Sequence, residues 1–304
     1  HKPLQVITYQ RNLQQVDWVS KSYDVDYERL VAQSNPIKPV RVASTHPLYI
    51  LYTSGTTGTP KGIVRDTGGY ATALKFSMKY VYGVNEGDVY WAASDVGWVV
   101  GHSYIVYGPL INRNSTVLFE GKPIKTPDAS TFWRIINEYK VKVMFTAPTA
   151  IRAIRKEDPE GEWIKKYDLS SLKFQFLAGE RCDASTLRWA EEHLKVPLID
   201  HWWQTESGWP MIANMAGINI QKVKPGSATF PVCGYDIQIL NEEGRLAKPN
   251  EEGFVAIKLP LPPGNLMTLW GNQNRFQQGY LNKFPGYYFS GDGGYRDADG
   301  YVFI

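Results

Sequence analysis

Short apolar runs separated by helical stretches limit what this chain can fold into more than any other feature. Residues 89–93 (Val-Tyr-Trp-Ala-Ala), 141–145, 174–177 and 196–199 are brief and rich in β-branched or aromatic side chains, whereas 129–139 and 184–193 are helical in character. Strands that are apolar throughout are buried on both faces. Strands alternating with helices pair in parallel, because the crossover helix returns the chain to the same end of the sheet. The middle of the chain is therefore expected to be an α/β layer, a largely parallel sheet covered on both sides. Residues 47–52 read as a buried strand, 117–119 as another, and 66–80 as a helix. From about residue 222 the helical pattern fades. Residues 235–240 and 253–258 are strand-like runs between Gly, Pro and Asn turns, which predicts a smaller β-rich subdomain. The expected division is a partial lead-in segment over 1–45, an α/β region over 46–221 and the β-rich subdomain over 222–304.

Composition narrows the class. Of 304 residues, 43% are hydrophobic, with 10 Trp, 19 Tyr and 12 Phe, enough for a substantial core and too much for a disordered chain. The 33 basic residues barely outnumber the 30 acidic ones and are scattered, unlike the concentrated stripe of a nucleic-acid-binding protein. No apolar stretch approaches the roughly 18 residues of a spanning helix, so no membrane insertion is expected. Cys182 and Cys233 are too few for a disulfide framework or a cysteine-based zinc site. His1, His46, His102, His193 and His201 show no close metal-ligand spacing. A reducing, soluble compartment fits these counts. The chain begins without a signal-like stretch and stops within the strand-like Tyr301-Val-Phe-Ile304, so it is expected to be a fragment truncated at both ends.

The strongest local signal for chemistry is Tyr52-Thr-Ser-Gly-Thr-Thr-Gly-Thr-Pro-Lys-Gly62. Small residues expose backbone N–H groups, hydroxyls add donors, and Lys61 adds a mobile positive charge. Together they form a cradle for a polyphosphate. It is not a Walker A loop, since no Gly precedes Lys61 and Gly62 stands where Ser or Thr should follow.

That string resembles the phosphate loop of the adenylate-forming superfamily, which includes acyl-CoA synthetases, luciferases and peptide-synthetase adenylation domains. Further stretches narrow the likeness: Gly97-Trp-Val-Val-Gly-His-Ser-Tyr104 leading into Val106-Tyr-Gly-Pro-Leu110, Phe145-Thr-Ala-Pro-Thr-Ala-Ile-Arg152, Ala178-Gly-Glu-Arg-Cys-Asp183, Asp200-His-Trp-Trp-Gln-Thr-Glu-Ser-Gly208, and Lys258-Leu-Pro-Leu-Pro-Pro-Gly264. These resemble the acetyl- and propionyl-CoA synthetases, and within them the short-chain family member 3, a propionyl-CoA synthetase type. The resemblance runs from about residue 40 to Ile304. It implies the fold of the large N-terminal domain of the superfamily, parallel α/β sheets plus a β-rich subdomain. It also implies that a hinge and a C-terminal domain carrying a catalytic lysine lie beyond, so that these 304 residues alone are not expected to complete the reaction.

The resemblance implies a reaction. A carboxylate attacks the α-phosphate of ATP to give acyl-adenylate and pyrophosphate, and coenzyme A thiolate then displaces AMP. Positioning and charge neutralisation do most of the work in such phosphoryl chemistry. Thr53, Ser54, Gly55, Thr56, Thr57, Gly58 and Lys61 would hold the departing phosphates, Thr205 would contact the α-phosphate, and Glu206 would ligate Mg²⁺. Gly179, Glu180 and Arg181 would pass over the adenine, with Asp200, His201, Trp202 and Gln204 completing the base pocket. Arg181 departs from the Pro usual after Gly-Glu in acetate enzymes. Asp292, in Ser290-Gly-Asp-Gly-Gly294, would accept from both ribose hydroxyls. No covalent acyl-enzyme is implied. His102 is read as structural or gating, and Cys182 as an inert small residue.

The acyl pocket is assigned to Trp98, Val99, Val100, Ala178 and Trp203. Trp203 would close it against long chains. Val100 stands where acetate enzymes carry Thr and Ala178 where they carry Val, leaving room for one more carbon. The implied acids are propionate, with acetate and butyrate also accepted, and the compartment is the mitochondrial matrix in a eukaryote or otherwise the cytoplasm. Two rivals remain open: an acetyl-CoA synthetase proper, and a non-catalytic scaffold subunit descended from the family. The intact phosphate loop, Glu206 and Asp292 speak against the scaffold, which has no physical need of them.

Overall fold

A computed structural model describes residues 3–11, 23–54 and 58–304, and the chain divides into two compact units, His1–Val42 and Ala43–Ile304. In the first unit, Val6–Thr8 pairs in parallel with Asp24–Asp26, and the helix Tyr27–Gln33 follows directly. Asp26 starts that helix, its carboxylate accepting from the Arg29 backbone N–H at 2.8 Å.

The second unit contains the parallel sheet. Its strands lie in the order Ser115–Thr116, Val89–Ala92, Val143–Thr146, Phe174–Leu177, Leu198–Asp200, and every pairing is parallel. Successive side chains of a strand point to opposite faces, and here each face has its own core. Tyr90, Phe145, Phe176 and Ile199 join one cluster, while Trp91, Met144, Leu177 and Leu198 join the other. Three helices cover the second face. Thr131–Tyr139 buries Phe132, Trp133, Ile135 and Ile136. Pro148–Glu157 opens on a proline, whose missing N–H would be unpaired there in any case. Ala184–Leu194 is capped by Asp183, which accepts from the Thr186 N–H at 2.9 Å.

Two expectations need correction. Residues 117–119 are not a strand: the short edge strand is Ser115–Thr116, and after one more bond from the Val117 N–H to the Tyr90 carbonyl the pairing ends, leaving Leu118 75% exposed. The strand Pro47–Thr53 is half-buried rather than buried. It is the edge of a three-stranded antiparallel sheet whose centre is Lys61–Asp66 and whose other edge is Thr268–Leu269. The helix expected over 66–80 is an α-helix at Gly68–Phe76 that widens into a π-helical turn at Ser77–Val81.

The β-rich part holds a four-stranded antiparallel sheet, Ile237–Leu240, Gly253–Lys258, Tyr287–Arg296 and Val302–Phe303. The helix Gln273–Tyr280 precedes its long third strand.

Candidate active site

Phe174–Leu177 and Leu198–Asp200 are parallel neighbours, so both end at the same edge of the sheet. Ligands of open α/β sheets bind outside the carboxyl ends of the strands. A cavity of about 690 Å³ lies here. Gly179, Glu180 and Arg181 line it from the chain leaving the first strand, and Asp200, His201, Trp202, Trp203 and Gln204 from the second. Thr53 and Ser54 reach it from the end of the hairpin strand, and Asp292 from the long strand Tyr287–Arg296. Gly179 has φ +101°, a conformation that suits glycine and strains other residues. Gly58 has φ +80° on the loop between the hairpin strands, while Gly55, Thr56 and Thr57 lie outside the described residues.

Hydrogen bonds tie three distant segments together in this cavity. Asp292 Oδ2 accepts from Gln204 Nε2 at 2.7 Å and from the Trp202 indole at 3.2 Å. Gln204 Nε2 also donates to the Ser290 carbonyl at 2.9 Å. Burial raises the Asp292 carboxyl, against the lowering effect of these two donors. Asp200 accepts a long bond, 3.3 Å, from the Cys182 N–H, and burial, outweighing its backbone donors, pushes its carboxyl up to about 7. The His201 imidazole is engaged by the Leu177 carbonyl at 2.7 Å and the Tyr82 hydroxyl at 3.0 Å, within the aromatic core. Burial lowers it to about 4, so it stays neutral at pH 7. Glu180 pairs with Arg152 of the helix Pro148–Glu157 at 2.5 Å. The Arg181 guanidinium lies against Gly226, where an added Cβ would come within 2.5 Å of it.

Lys61, Glu206 and Tyr280 meet on a second side of the site. Thr53 and Lys61 face each other as the last pair of the hairpin, so Lys61 stands at the foot of the glycine-rich loop. Its ammonium donates to Glu206 Oε1 at 2.9 Å and to the Tyr280 hydroxyl at 2.8 Å, and Tyr280 donates to the same Oε1 at 2.6 Å. Burial pushes the Glu206 carboxyl up, but the Lys61 charge and these hydrogen bonds outweigh it and hold it below its ordinary value. Behind them Arg65 is wholly buried. Its guanidinium donates to the carbonyls of Thr205, Glu206 (2.9 Å) and Gly264 (2.6 Å), fixing the backbone that presents Thr205 and Glu206. Gly208 makes room for it, since a Cβ there would sit 2.7 Å from the guanidinium carbon. No cluster of three or more His, Cys, Asp or Glu able to hold a metal occurs among the described residues. A cation beside Glu206 would therefore share this one carboxylate with oxygens of its ligand, which is how Mg²⁺ is usually held on nucleotide phosphates.

The acyl candidates divide. Val100 and Ala178 are buried in one core cluster, and Trp203 packs edge-to-face on Tyr104 at 5.5 Å. Trp98 is 69% exposed and Val99 half-buried, and of the five candidates only Trp203 belongs to the cavity lining. His102 stacks on Tyr49 at 5.0 Å, and burial lowers its pKa. The buried Cys182 thiol is pushed up to about 12, chiefly by burial, which leaves it protonated and unreactive.

Sequence reasoning missed Arg65, Tyr280 and Arg275. The last donates to the carbonyls of Thr59 (2.8 Å) and Pro60 (3.2 Å), gripping the exit of the loop. Three of the six residues of the strand Lys61–Asp66 are charged, so nothing local singles out Arg65 as the buried one. Tyr280 and Arg275 stand in a segment with no distinguishing spacing.

The chain matches the family model described as AMP-binding enzyme over residues 2–267. Over its whole length it is 50% identical to the mouse (Mus musculus) protein named acyl-CoA synthetase short-chain family member 3, mitochondrial, of which it covers 45%. It is 46% identical to propionate–CoA ligase of Escherichia coli (strain K12), covering 48%, and 53% identical to an uncharacterized protein of Pseudomonas aeruginosa, again covering 48%. The chain thus spans about half the length of the relatives it matches.

Proposed function

The chain belongs to the AMP-binding enzyme family, and from that premise we propose that its protein is an AMP-forming short-chain acyl-CoA synthetase. It forms propionyl-CoA, and also acetyl- or butyryl-CoA, from the carboxylate, ATP and coenzyme A through an acyl-adenylate. What supports this most is that Gly179, Asp200 to Gln204 and Asp292, far apart in sequence, line one cavity beside Thr53 and Ser54. Trp202 and the 179–181 turn would enclose the adenine, and Asp292, already held by two donors, would accept from the ribose. Lys61 would neutralise the pyrophosphate as it departs, and Thr205 would contact the α-phosphate from a backbone pinned by Arg65. Glu206 would hold Mg²⁺, which supplies charge neutralisation on the phosphates. Trp203 would cap the acyl chain, with Ala178 and Val100 as apolar walls. In a eukaryote the protein would work in the mitochondrial matrix, in a bacterium in the cytoplasm.

The test is acid-dependent ATP–pyrophosphate exchange by the full-length protein, followed by kcat/KM for thioester formation. Propionate is expected to exceed acetate by at least about tenfold, the worth of roughly one methylene in an apolar pocket. A preference for acetate would favour the rival acetyl-CoA synthetase, and absence of ATP binding the scaffold.

A further inference from the structure

The Tyr280 hydroxyl stands where the two charges of the phosphate side meet. Its bonds to Lys61 (2.8 Å) and Glu206 (2.6 Å), with the direct Lys61–Glu206 contact at 2.9 Å, close a triangle. Glu206 is 8% exposed, and a carboxylate that deeply buried is costly to leave without a partner. The phenol cannot drift away to follow either group. Its ring stacks on Tyr288 at 5.3 Å with 6° between the planes, and packs on Phe276 at 5.9 Å. The helix that carries it is capped by Asn272 and, through Arg275, holds the carbonyls of Thr59 and Pro60 immediately before Lys61. One short helix therefore fixes both the loop exit and the hydroxyl between the two charges.

A polyphosphate that engages Lys61 has to compete with this arrangement. We propose that Tyr280 is a positioning residue for polyphosphate binding, its hydroxyl keeping Glu206 hydrogen-bonded when Lys61 turns from the carboxylate to the ligand. The inference rests on the reading of Lys61 given above. In the exchange the Lys61–Glu206 bond is lost, a Lys61–phosphate bond is gained, and the Tyr280–Glu206 bond is retained. Without the hydroxyl, drawing Lys61 away strips Oε1 of both donors. AMP lacks the β- and γ-phosphates assigned to Lys61, so its binding leaves the triangle closed.

The experiment is calorimetric titration of full-length wild type, Tyr280→Phe and Lys61→Ala with ATP and with AMP, in EDTA and then with Mg²⁺. Phe keeps the stacked ring and removes only the hydroxyl. In EDTA, Tyr280→Phe is expected to bind ATP about tenfold more weakly, the size of one lost hydrogen bond to a charged group, while AMP stays within about twofold of wild type. Lys61→Ala should also weaken ATP and spare AMP. If Lys61→Ala weakens ATP but Tyr280→Phe does not, the inference about Tyr280 falls and the reading of the site stands. If Lys61→Ala leaves ATP binding unchanged, the reading of Lys61 falls and takes the inference with it. Equal losses for ATP and AMP in Tyr280→Phe, or its failure to fold, would make Tyr280 a merely structural residue and overturn the proposal.

Discussion

On the side of the candidate site proposed to hold the nucleoside, Gly179 to Arg181 and Asp200 to Gln204 leave the ends of two adjacent strands of a parallel sheet. On the side proposed for the phosphates, Lys61, Glu206 and Tyr280 come from a hairpin, a turn and a short helix. The first group is placed by a sheet packed on both faces and would stand in position whether or not its polar atoms found partners. The second is placed by its own charges: Arg65 fixes the Glu206 backbone, and Lys61 and Tyr280 fix its carboxylate. A shape set by packing tolerates the loss of a polar group, whereas a shape set by charge does not.

The largest expected effect tests that contrast directly. Arg65→Ala orphans the carbonyls of Thr205 and Gly264, takes one of two donors from that of Glu206, and should cost about 3–5 kcal/mol of stability by chemical denaturation. A cost below about 1 kcal/mol would mean that packing holds the phosphate side as well. Next comes Lys61→Ala, expected to slow acyl-adenylate formation by about 10²–10³ for every acid alike. Thioester formation from supplied acyl-adenylate should suffer far less, and Glu206→Gln should follow the same division. Equal damage to both half-reactions would show that these residues act through stability. Changes beside the nucleoside cavity should instead alter which acid is chosen. Ala178→Val is expected to shift preference toward acetate by roughly 10–200-fold, and Trp203→Gly to admit longer acids. An unchanged chain-length profile in Trp203→Gly would sink the pocket assignment. The last effect, a slope with pH rather than a fixed loss, concerns Asp200. Its folded pKa of about 7 lies above the usual unfolded value, so the folded state keeps its proton longer and stability falls as pH rises from about 4 to 7. Asp200→Asn should remove that slope, which cannot exceed about 1.4 kcal/mol per pH unit for one proton. A profile that keeps its slope in the variant would assign the titration to another group.

The same contrast explains what the sequence made legible. The residues proposed to hold the nucleoside lie in contiguous strings, and the resemblance of those strings to the adenylate-forming superfamily is what let Gly179, Asp200 and Gln204 be named as candidates. The parallel sheet was readable for a related reason: Val143–Thr146 is buried at all four positions, and its Val-Met-Phe run shows no polar alternation. Arg65 and Tyr280 owe their roles to partners 141 and 74 residues away, through contacts that no local pattern encodes. The edge strands were misjudged because exposure there depends on which neighbour is missing. Trp98, assigned to the acyl pocket by resemblance, is 69% exposed.

The triangle of Lys61, Glu206 and Tyr280 also bears on how the protein matures. Its links span 145 and 219 residues, whereas the central strands of the parallel sheet pair with near neighbours in chain order. Closing such long loops consumes chain entropy that is recovered only when the final contacts form, so distant contacts tend to be completed late in folding. A newly made chain would then acquire its sheet before it acquired a triphosphate-binding surface. Nucleotide present during refolding would capture only the last species to form and draw the population toward it by mass action. The yield of mature protein would rise with ATP more than with AMP, even where no acid is available to react.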